Sequence, residues 1–102
     1  MKRLMEIENV IQTLKDNKKV LDLLDPIKIT VDKFEGWGTI MVHCYYGDSN
    51  VREWFQENKE KVKVEKFGEN EYLKASVDIG AMHIFALLSE SDCKEFGGVK
   101  NE

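Results

Sequence analysis

The sequence has few of the residues that cross-link a small protein, bind metals in it or interrupt its helices and strands. Its 102 residues include one proline, two histidines and two cysteines. The spacing of Cys44 and Cys93 matches neither a CxxC pair nor a zinc-ligand pair, so we expect one core thiol and one surface thiol, both reduced. The fold must then depend on one hydrophobic core, which a chain of this length can bury without disulfides or bound metals.

Charge of one sign and long apolar runs are also scarce. Fifteen basic and nineteen acidic residues are interspersed and give a net charge of −4. Non-specific binding to phosphate backbones needs a surplus of lysine and arginine, so this balance disfavours it. The longest apolar run, Ile84 to Leu88, is far shorter than a membrane span, and no apolar segment follows Lys2-Arg3 to form a secretory signal. We therefore expect a soluble, cytoplasmic protein without membrane contact.

Recognisable chemical motifs are missing as well. The sequence contains no phosphate-binding loop and no dinucleotide-binding glycine fingerprint, and the pair Gly36 and Gly38 is typical of a turn. The histidines and cysteines do not have the spacing of metal ligands, and the carboxylates are mostly interleaved with lysines, as on a solvated surface. We predict no metal, no cofactor and no enzymatic activity.

The residues that are present predict an ordered chain that begins with a helix. Hydrophobic residues make up 42% of the chain, enough to offset the entropy of ordering it. Apolar residues at three–four spacing predict an amphipathic helix up to Leu24, closed by Asp25-Pro26, with a weak point at Asp16-Asn17 where a second short helix could start. The apolar stripe consists of Leu4, Ile7, Ile11, Leu14 and Leu21.

Alternation of apolar and polar residues predicts strands over residues 27–32, 39–46, 61–67 and 71–79. A fifth strand, over 82–88, is apolar on nearly both faces, which indicates a central position or one covered on both sides. A turn at 35–38 joins the first two strands, and a capping cluster at 48–50, in which Asn50 with Glu53 resembles a capping box, starts a helix before the third. We predict a single α+β domain over residues 1–102, in the order α-β-β-α-β-β-β. It has a mostly antiparallel sheet of about five strands, two main helices on one face and a flexible tail at 97–102.

The most tempting chemical pair is Cys44 with a histidine. A cysteine nucleophile needs a nearby base, but neighbours on a strand point to opposite faces, so His43 cannot activate Cys44. We expect Cys44 to be a buried thiol that shares the inner face with Ile40 and Val42. A small cysteine-dependent enzyme that uses Cys44 with His83 from another strand remains an alternative.

A second alternative is single-stranded nucleic-acid binding by the face between Lys61 and Lys74. Lysines on two adjacent strands could gather there beside Tyr72, which would supply the charge and the stacking that such binding needs. Interspersed glutamates offset this charge. The lysines concerned are Lys59, Lys61, Lys63, Lys66 and Lys74.

The aromatic residues give the most useful indication of function. Trp37 lies in the predicted turn, where it either folds back over the sheet edge or anchors a partner. Tyr45 shares a strand face with Met41 and His43, and exposed tryptophan and tyrosine are enriched at protein interfaces. We predict that Trp37, Tyr45, Met41 and His43 bind a protein partner.

These features favour a small non-enzymatic protein-binding module that acts by occluding a partner's surface. In size and composition alone, the chain is similar to small accessory proteins of phages and mobile elements, including anti-CRISPR proteins, and that similarity implies an inhibitor of a host system. A homodimer through the N-terminal helix or a sheet edge is a further expectation. The alternative is that this helix packs on its own sheet.

Overall fold

The N-terminal apolar stripe forms two helices in the computed structural model, which describes residues 2–34, 37–67 and 72–97, and side chains within 8–31, 40–66 and 72–97. Helix α1 spans Lys2–Asp16 and α2 spans Lys18–Leu24. They are separated at Asn17, whose side-chain amide donates to the Thr13 carbonyl oxygen at 2.8 Å, so the predicted weak point is confirmed.

Two further helices begin at polar caps. Helix α3 spans Ser49–Glu57, and the carboxylate of Asp48 accepts the backbone N–H of Asn50 at 3.0 Å. Asp48 is therefore the cap, and the predicted capping box of Asn50 with Glu53 is wrong. Helix α4 spans Glu90–Lys94 and begins at a capping box that Ser89 forms with Asp92.

The five strands form one mixed sheet in the order β1-β2-β5-β4-β3. Three of its four strand pairs are antiparallel and the central pair, β2 with β5, is parallel, so the predicted α+β class is confirmed. The predicted turn at 35–38 is too long, because Trp37 already belongs to a strand and pairs with Phe34. The strands are β1 Lys28–Phe34, β2 Trp37–Cys44, β3 Lys63–Phe67, β4 Tyr72–Ile79 and β5 Met82–Leu88.

The helices and the sheet share one hydrophobic core. The inner face of the central strands supplies its middle, and every helix contributes apolar side chains to it, among them Leu14, Leu24, Phe55 and Cys93. Cys93 is buried like Cys44, so the expectation of one surface thiol is wrong, and both cysteines are free. Apart from Gly97, the predicted flexible tail lies outside the described residues. No helix among the described residues is long and apolar enough to cross a membrane.

Candidate partner-binding face

The face of the sheet opposite the helices carries the side chains that alternate with the buried ones, and we call it the outer face. Strand pairing places its residues side by side across the sheet, because directly opposed residues point the same way. Tyr45, which follows β2 between two buried residues, extends it. The outer face consists of Lys28 and Thr30 of β1, Met41 and His43 of β2, His83, Phe85 and Leu87 of β5, Tyr72, Lys74, Ser76 and Asp78 of β4, and Lys63 and Glu65 of β3.

Phe85 lies at the centre of the outer face. Its ring stacks on the His43 ring from the neighbouring strand, with centroids 4.7 Å apart and planes 13° from parallel. The His83 ring lies 5.8 Å from it, and the Lys74 ammonium lies 5.5 Å from its centroid. Phe85 is therefore a half-buried aromatic ring with two imidazoles and a cation around it, in the geometry of π-stacking and cation–π contact.

A series of contacts between polar side chains runs beside the aromatic cluster around Phe85. His83 contacts Asp78 through Nδ1 at 2.6 Å and Lys74 through Nε2 at 3.2 Å, and the Lys74 ammonium lies 3.8 Å from a Glu65 carboxylate oxygen. An ammonium can only donate, so Nε2 accepts and Nδ1 carries the proton that is donated to Asp78. These contacts fix the orientation of His83 and occupy both of its ring nitrogens.

Exposed apolar side chains lie next to this centre, towards the C-terminal end of β5. Tyr45 is 64% exposed, Tyr72 51% and Leu87 39%. The Tyr45 ring lies against the backbone of Gly47, where a Cβ at position 47 would overlap it. The ring therefore depends on glycine at that position for its present orientation.

The structure brings together three of the four predicted partner-binding residues. Met41 and His43 lie on the same face of β2 as predicted, and Tyr45 extends that face. Trp37 begins β2, but its side chain lies outside the described residues. The sequence reasoning did not select Phe85 or Leu87, although both have the strand parity of His83 and were detectable by it.

Cys44 and His83 do not form a pair. Cys44 is buried on the inner face opposite Ala86, whereas His83 lies on the outer face opposite Met41. Burial, with the nearby Asp48 carboxylate, raises the pKa of the Cys44 thiol to about 12, so it stays protonated at neutral pH. The contact between Cys44 and His83 that the cysteine-dependent enzyme requires is therefore not formed.

The predicted lysine face is only partly assembled. Lys63 and Lys74 lie on the outer face, opposite Ser76 and Leu87 respectively. Lys66 pairs with Leu73, whose parity is that of the buried residues, so it points to the other side of the sheet. The lysines between 61 and 74 therefore do not form one surface.

A second polar cluster links the end of β2 to helices α3 and α4. The Tyr46 hydroxyl donates to Glu95 Oε1 at 2.8 Å, and the Gln56 amide donates to the same oxygen at 2.8 Å. The Arg52 guanidinium lies 5.3 Å from the Tyr46 ring centroid. Burial raises the pKa of Tyr46 to about 12; the Gln56 hydrogen bond opposes this rise, and the hydrogen bond to Glu95 and the charges of Glu95 and Asp92 add smaller upward effects.

Tyr46 gives the fold a dependence on alkaline pH. Because the folded protein holds the phenolic proton more tightly than the unfolded chain, its stabilisation is complete below about pH 10 and is lost as the pH rises towards 12. We expect the free energy of unfolding to fall more steeply over this range in the native protein than in Tyr46→Phe. Urea titrations at a series of pH values measure this difference, and parallel curves for the two proteins would contradict it.

The other described side chains do not assemble a ligand site. No group of three or more potential metal ligands occurs among them, and each buried side-chain polar atom in the described parts has a hydrogen-bond partner. An open surface depression is lined by residues 56–61, where charges of both signs alternate. Among the described residues, the outer face is therefore the candidate functional surface.

Comparison with known proteins found no relative of this chain. No family model, no curated protein and no solved structure matches the chain.

Proposed function

We propose that the chain is a non-enzymatic protein-binding module that occludes a working surface of its partner with the outer face. One observation carries the proposal: Phe85, stacked on His43, lies at the centre of a sheet face that no described helix covers. Half-buried aromatic rings surrounded by polar side chains are the usual anchors of protein interfaces. Leu87 and Tyr72 extend the apolar surface from the ring towards the C-terminal end of β5.

The series of polar contacts on the same face would supply specificity. Asp78, His83, Lys74 and Glu65 are held in defined orientations by one another. Ordered charges at the rim of an apolar centre select partners with complementary charges and reject others. Together with the small size and the acidic composition, this favours an inhibitor that acts in the cytoplasm, of the kind that phages and mobile elements use against host systems.

Truncation of the predicted aromatic residues tests the proposal. We expect Tyr45→Ala, and separately Trp37→Ala, to weaken partner binding by about tenfold, since each would remove an aromatic side chain from the contact. Titration calorimetry measures the affinity, and circular dichroism confirms that each variant is folded. Unchanged affinity in both variants would remove these residues from the interface.

Nucleic-acid binding stays as a second candidate because Lys63, Lys74 and Tyr72 share the outer face with Phe85. Stacking on aromatic rings beside a cationic groove is how single strands are bound. Glu65 and Asp78 lie among these lysines and weaken the case. This candidate requires retention on single-stranded DNA at low salt that falls steeply as salt is added.

A further inference from the structure

We propose that strand β1 is a self-association edge, at which a second copy of this chain pairs antiparallel about a two-fold axis at Thr30. The two sheets would then join into one continuous sheet, with the helices of both copies on the same side. This inference concerns the backbone edge of β1, whose Lys28 and Thr30 also border the outer face, and it does not rest on the proposed function.

The apolar side of β1 is poorly covered. Ile29 pairs with Val42 and Val31 pairs with Ile40, so their side chains point to the inner side of the sheet, where Val42 and Ile40 are fully buried. Yet Ile29 and Val31 are 40% and 41% exposed, and the preceding Ile27 is 62% exposed. Among the described residues, the helix layer therefore covers β2 but stops short of β1, and apolar side chains lie beside a backbone edge with which no described strand pairs.

The two edges of the sheet differ in how they are protected. Strand β3 has five residues, and its exposed side chains include Lys63, Glu65 and Lys66, which are charges of the kind that prevent edge-to-edge pairing. Strand β1 has seven residues, and beside the exposed Lys28 it presents the apolar Ile29 and Val31. Pairing of β1 with β1 closes as a symmetric dimer, whereas pairing of β1 with β3 would continue into an open filament.

The sequence of β1 is complementary to itself in one register. Side chains that lie opposite each other across two antiparallel strands point to the same face of the sheet. With a two-fold axis perpendicular to the sheet, even-numbered residues must therefore lie opposite even-numbered residues of the second copy, and odd-numbered opposite odd-numbered. With the axis at Thr30, Ile29 lies opposite Val31 of the second copy. Lysine at position 28 then lies opposite aspartate at position 32, and symmetry gives this charge pair twice.

Neighbouring registers lack this complementarity. An axis one residue later, at Val31, places Ile29 opposite lysine at position 33. An axis one residue earlier, at Ile29, places Pro26 opposite position 32, and proline has no N–H to donate to the ladder. Charge and backbone chemistry therefore both select Thr30 as the centre.

A disulfide placed on the axis tests the register directly. In the proposed dimer the two Cβ atoms at position 30 lie about 5 Å apart, close to the separation that a disulfide needs. We expect Thr30→Cys to form a covalent dimer with oxidised glutathione, as two protein thiols lose two electrons and two protons and glutathione disulfide becomes two thiols. The native Cys44 and Cys93 are buried and do not compete.

Lys28→Cys is the matched control, since it is an exposed residue on the same side of the same strand but lies opposite position 32 rather than its own copy. It should cross-link far more slowly than Thr30→Cys. Equal rates for the two variants would mean random collision and would overturn the proposal.

A charge exchange measured by sedimentation gives an independent test. Lys28→Asp alone or Asp32→Lys alone creates two like-charge oppositions, and each should weaken the dimer by about tenfold. The double variant should restore it, and Phe85→Ala should leave it unchanged. A native chain that stays monomeric up to roughly 1 mM, or a double variant as weak as the single ones, would overturn the proposal.

Discussion

Phe85→Ala should weaken partner binding by about 30-fold or more, which corresponds to the 2 kcal/mol or more expected of an interface anchor. The substitution removes the ring that stacks on His43 and lies beneath the Lys74 ammonium. Because Phe85 is only half-buried and lies outside the core, its loss should lower the free energy of unfolding by no more than about 1–2 kcal/mol. Titration calorimetry and urea unfolding measure the two quantities on the same protein.

Ile11→Ala is the control for this experiment. Ile11 is also a half-exposed apolar residue, but it belongs to helix α1 on the opposite side of the sheet. We expect this variant to bind the partner as the native protein does. If Ile11→Ala weakened binding as much as Phe85→Ala, the partner would not discriminate between the two sides of the sheet and the assignment of the outer face would be wrong.

Phe55→Ala, in contrast to Phe85→Ala, should act mainly on stability. We expect it to lower the free energy of unfolding by about 3–5 kcal/mol. Phe55 is fully buried, and its ring packs edge-on against Trp54 at 5.2 Å and lies 6.1 Å from the Tyr46 ring. Its removal leaves a cavity between α3 and the sheet, and a domain of this size is stabilised by only about 5–15 kcal/mol in total. We expect the urea midpoint to fall by about 2 M or more.

Comparison of the two phenylalanine variants separates stability from binding. The folded fraction of Phe55→Ala should keep its affinity for the partner, because no part of the outer face is removed. A small stability loss in Phe55→Ala, similar to that of Phe85→Ala, would show that the core is not centred on Phe55 and would contradict the packing described above.

Local patterns predicted most elements, because period and turn chemistry are properties of neighbouring residues. The apolar segment from Met82 to Leu88, which follows a turn, had the ends observed for β5, and the drop in helix propensity at Asn17 marked the break between α1 and α2. The parallel pairing of β2 with β5 was not predictable from local pattern, since it joins segments separated by a helix and two strands. It depends on how the two antiparallel units pack over one core.

The errors have local physical causes. Three successive residues at 48–50 can each cap a helix, and composition alone does not choose among them; the structure uses Asp48. The glycines flanking Trp37 indicated a turn, but pairing of Trp37 with Phe34 extends the strand. Cys93 was expected at the surface, but α4 packs its cysteine into the core.

The candidate site was only half predictable for a related reason. Alternation placed Met41, His43 and Tyr45 on one face correctly. Strand β5, however, is apolar on nearly both faces, a pattern that is also typical of a strand covered on both sides. The strand order places its outward residues Phe85 and Leu87 beside His43, and the packing of the described helices on the other side leaves that face uncovered by them.

Binding through the outer face is tested most directly by capture of a partner from a lysate of the source cell on tagged protein, with and without nuclease. Native protein, Phe85→Ala and Ile11→Ala are compared, and bound chains are quantified by mass spectrometry. We expect one stoichiometric protein that the native chain and Ile11→Ala retain and that Phe85→Ala loses. Retention of the same protein by Phe85→Ala, or loss of all bound chains after nuclease treatment, would contradict binding through the outer face.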